Sequence, residues 1–139
     1  MRTYNGENLT ERKLERIYAD WLRANGCEEV KLHSRLSGCD LVVKRRGDMS
    51  LHEVKLLCET TQLHRGVGQL LFYRFQMERK HGLRIPRLVL VSLTERLDED
   101  TLAFLRYVGI EYCCLAGIVE SYFREQEIER NLRSVRKQL

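Results

Sequence analysis

A chain of 139 residues has room for one domain with a sizeable core but not for a second catalytic unit, so residues 1–139 read as a single domain. Charged residues make up 32% and hydrophobic ones 43%, which argues against a disordered chain, and the net charge of +4 suits a polyanionic partner without establishing one. Five cysteines without a C-x-x-C pair argue against a disulfide framework, a zinc site or an iron–sulfur cluster and read as mostly buried thiols, and no apolar run approaches the ~20 residues of a membrane helix.

Met1 to Gly6 lacks an apolar signal core, so the expected location is the cytoplasm, or the host cytoplasm for a viral chain. Leu9 to Asn25 carries Leu14, Ile17, Tyr18, Trp21 and Leu22 at helical spacing, with Asn8 or Thr10 as N-cap and Gly26 as the stop. Val30–Ser34, Cys39–Lys44 and Leu51–Leu57 read as three strands of a meander, the last two joined by the turn-like Arg45-Arg46-Gly47-Asp48. Thr61 to His81 is helical again, with Gly82 placed to end it, and Pro86 opens a fourth strand, Leu88–Ser92. Asp98–Tyr107 reads as a helix, Ile110–Leu115 as a fifth strand, and Ile118–Leu139 as a last helix whose stripe Ile128, Leu132, Val135, Leu139 alternates steps of four and three. The order is αβββαβαβα, with one core shared by strands and helices.

Four Glu-x-Lys triplets occur, beginning at Glu11, Glu29, Glu53 and Glu78. Only Leu51-His-Glu-Val-Lys-Leu-Leu lies in an apolar run fit for a core strand, where Glu53 and Lys55 share a face. A hairpin loop centred between Arg46 and Gly47 pairs Lys44 with Met49, Val42 with Leu51 and Asp40 with Glu53. Like charges directly opposite destabilise a sheet, so the Asp40–Glu53 pair asks for a cation, and oxygen ligands favour magnesium or manganese. Lys55, one step further on that face, is then placed to orient or deprotonate a water or to stabilise charge developing on a phosphate. On these residues alone, a different register with Glu53 and Lys55 on an exposed face reads equally well.

The following helix bears on that choice. Gln62, Arg65 and Gln69 form one polar stripe, and Gly66 and Gly68, each costing a helix ~1 kcal/mol against alanine, indicate close approach, either to a ligand or to the sheet.

With Asp40, Glu53-Val54-Lys55, Gly68-Gln69-Leu-Leu-Phe-Tyr and the αβββαβ order, the chain from Leu9 to Ser92 resembles the PD-(D/E)xK nucleases, the restriction-endonuclease-like superfamily. Gly38-Cys39 stands where those nucleases commonly have the proline before Asp40. The resemblance implies a restriction-endonuclease-like αβββαβ core, with the C-terminal α-β-α as an extension. It implies a magnesium- or manganese-dependent deoxyribonuclease whose ions are held by Asp40, Glu53 and the Val54 main-chain carbonyl, with Lys55 assisting the attacking water and Gln69 contributing from the helix. Many members add a glutamate from the first helix; Glu15 is the better match and Glu11, a turn earlier, the fallback. Within the superfamily the likeness runs both to archaeal-type Holliday junction resolvases and to small helicase-associated, restriction and phage nucleases.

The implied partner is double-stranded or branched DNA. Arg45, Arg46, Gln62 and Arg65 are the candidates to touch it. Arg124, Arg130, Arg133, Arg136 and Lys137 on the last helix are interleaved with Glu120, Glu125, Glu127 and Glu129, so a solvated face is the simpler reading there. The four histidines show no metal-ligand spacing and read as structural or surface residues. The C-terminal stripe fits a homodimer, which would bring two sites to two strands. The rival class is a nucleic-acid-binding or assembly module that keeps the fold without the chemistry.

Overall fold

The computed structural model describes residues 3–4, 7–33 and 38–138, and of Thr3, Tyr4 and Glu7 the main chain only. Its elements are β1 Thr3–Tyr4, β2 Glu7–Asn8, α1 Glu11–Ala24, β3 Glu29–Leu32, β4 Leu41–Arg45, β5 Asp48–Val54, α2 Thr60–His81, β6 Arg87–Ser92, α3 Glu99–Tyr107, β7 Ile110–Cys114 and α4 Ala116–Gln138. The expected αβββαβαβα order is present, preceded by a two-stranded ribbon that the sequence pattern did not predict.

Helix α1 starts two residues later than its apolar period suggests. Thr10 is the N-cap, its hydroxyl accepting the Lys13 N–H at 3.1 Å, which leaves Leu9 and Thr10 outside the helix. Strand β5 likewise lies three residues earlier than expected. Arg46 (φ +52°) and Gly47 (φ +83°) both adopt left-handed conformations, as a type I′ two-residue turn requires, so pairing begins at once with Arg45 opposite Asp48. At the other end Leu56 and Leu57 are apolar but lie beyond the strand. Strand β4 runs Leu41–Arg45 rather than Cys39–Lys44, and β3 ends at Leu32; Ser34 and Leu139 lie outside the described residues.

The sheet order is β3-β4-β5-β6-β7, antiparallel as far as β5 and parallel from β5 to β7. One face packs Val54, Val89 and Val91 against Leu14, Ile17 and Tyr18 of α1 and Val119 and Phe123 of α4. The other packs Leu51, Leu88 and Leu90 against Leu63, Val67 and Leu70 of α2 and Leu105 of α3. Each buried aliphatic side chain contributes ~1.5–3 kcal/mol of burial, and two such layers hold the central strands β5 and β6 rigidly. The cysteines form no disulfide, but only Cys39 is fully buried; the others, half-buried, correct the expectation of mostly buried thiols. Their positions near strand and helix ends leave one side open. No helix among the described residues is long and apolar enough to cross a membrane.

Candidate active site

The hairpin register decides where the acidic residues meet. Val42 stands opposite Leu51 and Leu41 opposite His52, so the next rung brings Asp40 opposite Glu53. Bonds from main-chain N–H groups to the two carboxylates hold this rung although Asp40 precedes the strand. Val54 N–H donates to Asp40 Oδ2 at 2.9 Å and Asp40 N–H donates to Glu53 Oε1 at 3.3 Å. Because a strand residue directs its N–H and C=O to the same neighbour, the Val54 carbonyl also faces the Asp40 side.

Glu53 is 1% exposed and Lys55 8%, and Lys55 Nζ lies 3.9 Å from Glu53 Oε2. Burial first, and the Asp40 carboxylate second, push the Glu53 carboxyl up to about 8. Lys55 N–H bonds the Val91 carbonyl at 2.9 Å, so the residue stays anchored to β6 one step beyond the strand. Above it, α2 packs on the sheet through Gly66. A Cβ on Gly66 would stand 2.6 Å from Leu90 Cδ1 and 3.8 Å from Lys55 Cε, whereas one on Gly68 would meet nothing within 4 Å. Gly66 is therefore a packing glycine, and Gly68 has no neighbour that demands it. Gln69, one turn from Gly66 on the same side of α2, has a buried Oε1 with no hydrogen-bond partner.

Glu15 reaches the same region from α1. It is 5% exposed, and its Oε2 is 2.5 Å from His33 Nε2. Ligand atoms of Glu15, His33 and Asp40 all lie within 4.8 Å of one another. Burial and Asp40 raise the Glu15 carboxyl, while the His33 hydrogen bond lowers it. Glu11, a turn earlier, stands outside this group. Asp40 is thus shared by two adjoining sets, Glu15–His33–Asp40 and Asp40–Glu53–Lys55.

Other residues singled out by sequence are placed differently. Gln62 is half-buried and Arg65 exposed on α2. Arg45 and Arg46 sit at the turn end of the hairpin, five and six residues from Asp40 along the chain, which at ~3.3 Å per residue is roughly 17–20 Å away. Two arginines that sequence reasoning passed over are nearer: Arg12 and Arg16 line a 250 Å³ pocket with Glu15, Leu32 and His33. Their signal was available, since both lie within a turn of Glu15 on α1. The histidine had no such signal, because its partners come from other elements.

This donor set suits a hard divalent cation. Three carboxylates converge with one buried amine, an arrangement that a cation would satisfy.

No protein-family model matches the sequence, and no curated protein is significantly similar to it. Three solved structures share its architecture. A protein of unknown function, AF1548, superposes with a TM-score of 0.55 at 17% identity over 74% of this chain and 57% of its own. An XisH family protein from Nostoc punctiforme gives 0.54 at 16% identity over 72% and 88%. A repair endonuclease from Pyrococcus abyssi gives 0.55 at 19% identity over 78% and 49%. The chain therefore spans little more than half of the first and about half of the third. The likeness is one of fold alone, in this chain a mixed five-stranded sheet flanked by helices.

Proposed function

We propose that this protein is a divalent-metal-dependent DNA endonuclease of the PD-(D/E)xK type that hydrolyses phosphodiester bonds in double-stranded or branched DNA. The observation that carries the reading is the Asp40–Glu53 rung, with Lys55 buried two residues beyond Glu53 and Glu15 converging from α1. Buried like charges are retained against their cost where a cation offsets them. Asp40, Glu53, Glu15 and the Val54 carbonyl would hold magnesium or manganese. When bound, such an ion supplies Lewis-acid stabilisation of charge at a phosphate oxygen.

The chain's own groups do the remainder. Lys55, with its stem confined under Gly66 and its amine beside Glu53, orients the attacking water and donates to the oxygen on which charge develops. Gln69 offers its side-chain amide from α2 to the same space. Arg12 and Arg16, exposed beside Glu15, bind the flanking phosphates as charge-assisted donors. A repair endonuclease among the proteins of like fold supports DNA as the substrate. Two copies paired through α4 would bring a site to each strand.

The test is cleavage of closed-circular plasmid, linear duplex and a four-way junction with magnesium or manganese, with and without chelator. Metal-dependent nicking of the closed circle is expected, and Lys55→Ala should slow single-turnover cleavage ~10²-fold or more while DNA affinity stays within a few-fold. Cleavage confined to the junction would identify the resolvase-type alternative. A wild-type protein that binds DNA but leaves all three substrates intact in either metal would instead be a binding module.

A further inference from the structure

His33, the residue after β3, has φ +48°, in the left-handed region that few residues other than glycine adopt, asparagine, aspartate and histidine more readily than the rest. Its N–H donates to the Asp40 carbonyl at 2.8 Å, which ties its main chain to the start of β4. The ring is thereby turned towards α1, with Nε2 2.5 Å from Glu15 Oε2. Its side chain is 53% exposed, whereas that of Glu15 is 6% exposed. A hydrogen bond with one partner so open to water contributes little, and does not account for the positive φ at this position.

A metal ion accounts for it. Ligand atoms at right angles round a first-row ion with bonds of ~2.1 Å stand ~3.0 Å apart, and opposite ones ~4.2 Å. The Glu15, His33 and Asp40 donor atoms, all within 4.8 Å of one another, need only small side-chain rotations to meet those separations. We propose that His33 is a metal ligand together with Glu15 and Asp40, and that it makes this centre select manganese over magnesium. The inference rests on the metal-dependent reading above and adds the ion preference to it. Magnesium takes oxygen almost exclusively, whereas the divalent first-row ions accept an imidazole nitrogen, manganese the most weakly of them, so a histidine in the ligand set tilts the site from magnesium towards manganese.

The test measures binding directly in the absence of DNA. Manganese and magnesium are titrated into the wild type, His33→Ala and His33→Asn by calorimetry, and the manganese complexes are examined by pulsed electron paramagnetic resonance for coupling to imidazole nitrogen. His33→Asn guards against misfolding, since asparagine tolerates positive φ. The wild type should bind manganese at least tenfold more tightly than magnesium and show the nitrogen coupling. Both variants should lose tenfold or more in manganese affinity, little in magnesium affinity, and the coupling altogether. A wild type without nitrogen coupling, without manganese binding, or with a manganese affinity that either folded variant matches within twofold overturns the proposal. Nitrogen coupling in a protein that cuts no DNA would retain the ligand and discard the nuclease, whereas cleavage by a protein without it would do the reverse.

Discussion

His52 and Glu53 are consecutive in β5 and project to opposite faces, and burial pushes their pKa values in opposite directions. Tyr18 and Ser50 each sit 2.8 Å from a ring nitrogen of His52, and burial, then Arg87, holds that ring's pKa down at about 3. His52 thus contributes stability that is complete above its unfolded value of 6.5 and is lost as pH falls towards 3. Glu53, raised from 4.5 to about 8, contributes stability that is complete below 4.5 and is lost as pH rises through 8. Between the two unfolded values the slopes oppose each other. In chelator the stability should therefore be nearly flat there and decline from about pH 6.5 to 8, by at most about 1.4 kcal/mol per pH unit, and the melting temperature with it. Asp40→Asn, which removes the second cause of the Glu53 shift, should flatten that decline; thermal melts across the range decide, and stability rising from pH 6.5 to 8 in the wild type would contradict the assignment. The arginines make a separate test at the same scale. Arg12→Ala and Arg16→Ala should each weaken DNA binding and reduce the log–log salt slope by ~1, while Arg45→Ala and Arg46→Ala at the far end of the hairpin change neither.

Helix α2 contains two glycines whose replacement should act with opposite signs. Gly66→Ala drives a methyl group against Leu90, itself fully buried, and should destabilise the protein by ~1–3 kcal/mol. Gly68→Ala meets open space and should stabilise it by up to ~1 kcal/mol through helix propensity. Urea denaturation of the two variants in chelator reads both values. The same contrast shows what the sequence could and could not convey about elements. The hairpin register was legible because Arg46-Gly47 fits a two-residue turn and Val42, Leu51 and their neighbours alternate correctly; the Asp40–Glu53 rung follows by counting. That count also places Arg45 and Arg46 at the end opposite the acidic pair. The Glu15–His33–Asp40 group was not legible in full, since it joins α1, the end of β3 and the approach to β4, and no spacing along the chain encodes that meeting. Nor was the β1–β2 ribbon, whose two-residue strands are too short to show a period.

At the scale of the molecule, α4 outruns its support. Ala116, Val119 and Phe123 are buried against the sheet and α1, but every residue from Glu127 to Gln138 is exposed, including Ile128, Leu132 and Val135 at 51–54%. A lone helix of that length is marginal in water and would not carry an apolar stripe without a partner. We propose that the stripe packs on its counterpart in a second copy, the homodimer that its heptad-like spacing fits. Leu132→Glu should convert a sedimenting dimer to monomer and favour nicking over double-strand cleavage; a wild type that sediments as monomer throughout a dilution series would reject this pairing. The hairpin has a kinetic consequence of its own. Asp40 and Glu53 are only 13 residues apart, at the open end of a structure that zips from its turn in ~1–10 μs. Their repulsion therefore falls on the last rung to close, and it does so early, before the parallel strands joined through the 22-residue α2 have assembled. A cation available during synthesis would meet this rung while the rest of the sheet is still forming, and so would act on the rate at which the protein folds as well as on the stability of the finished fold.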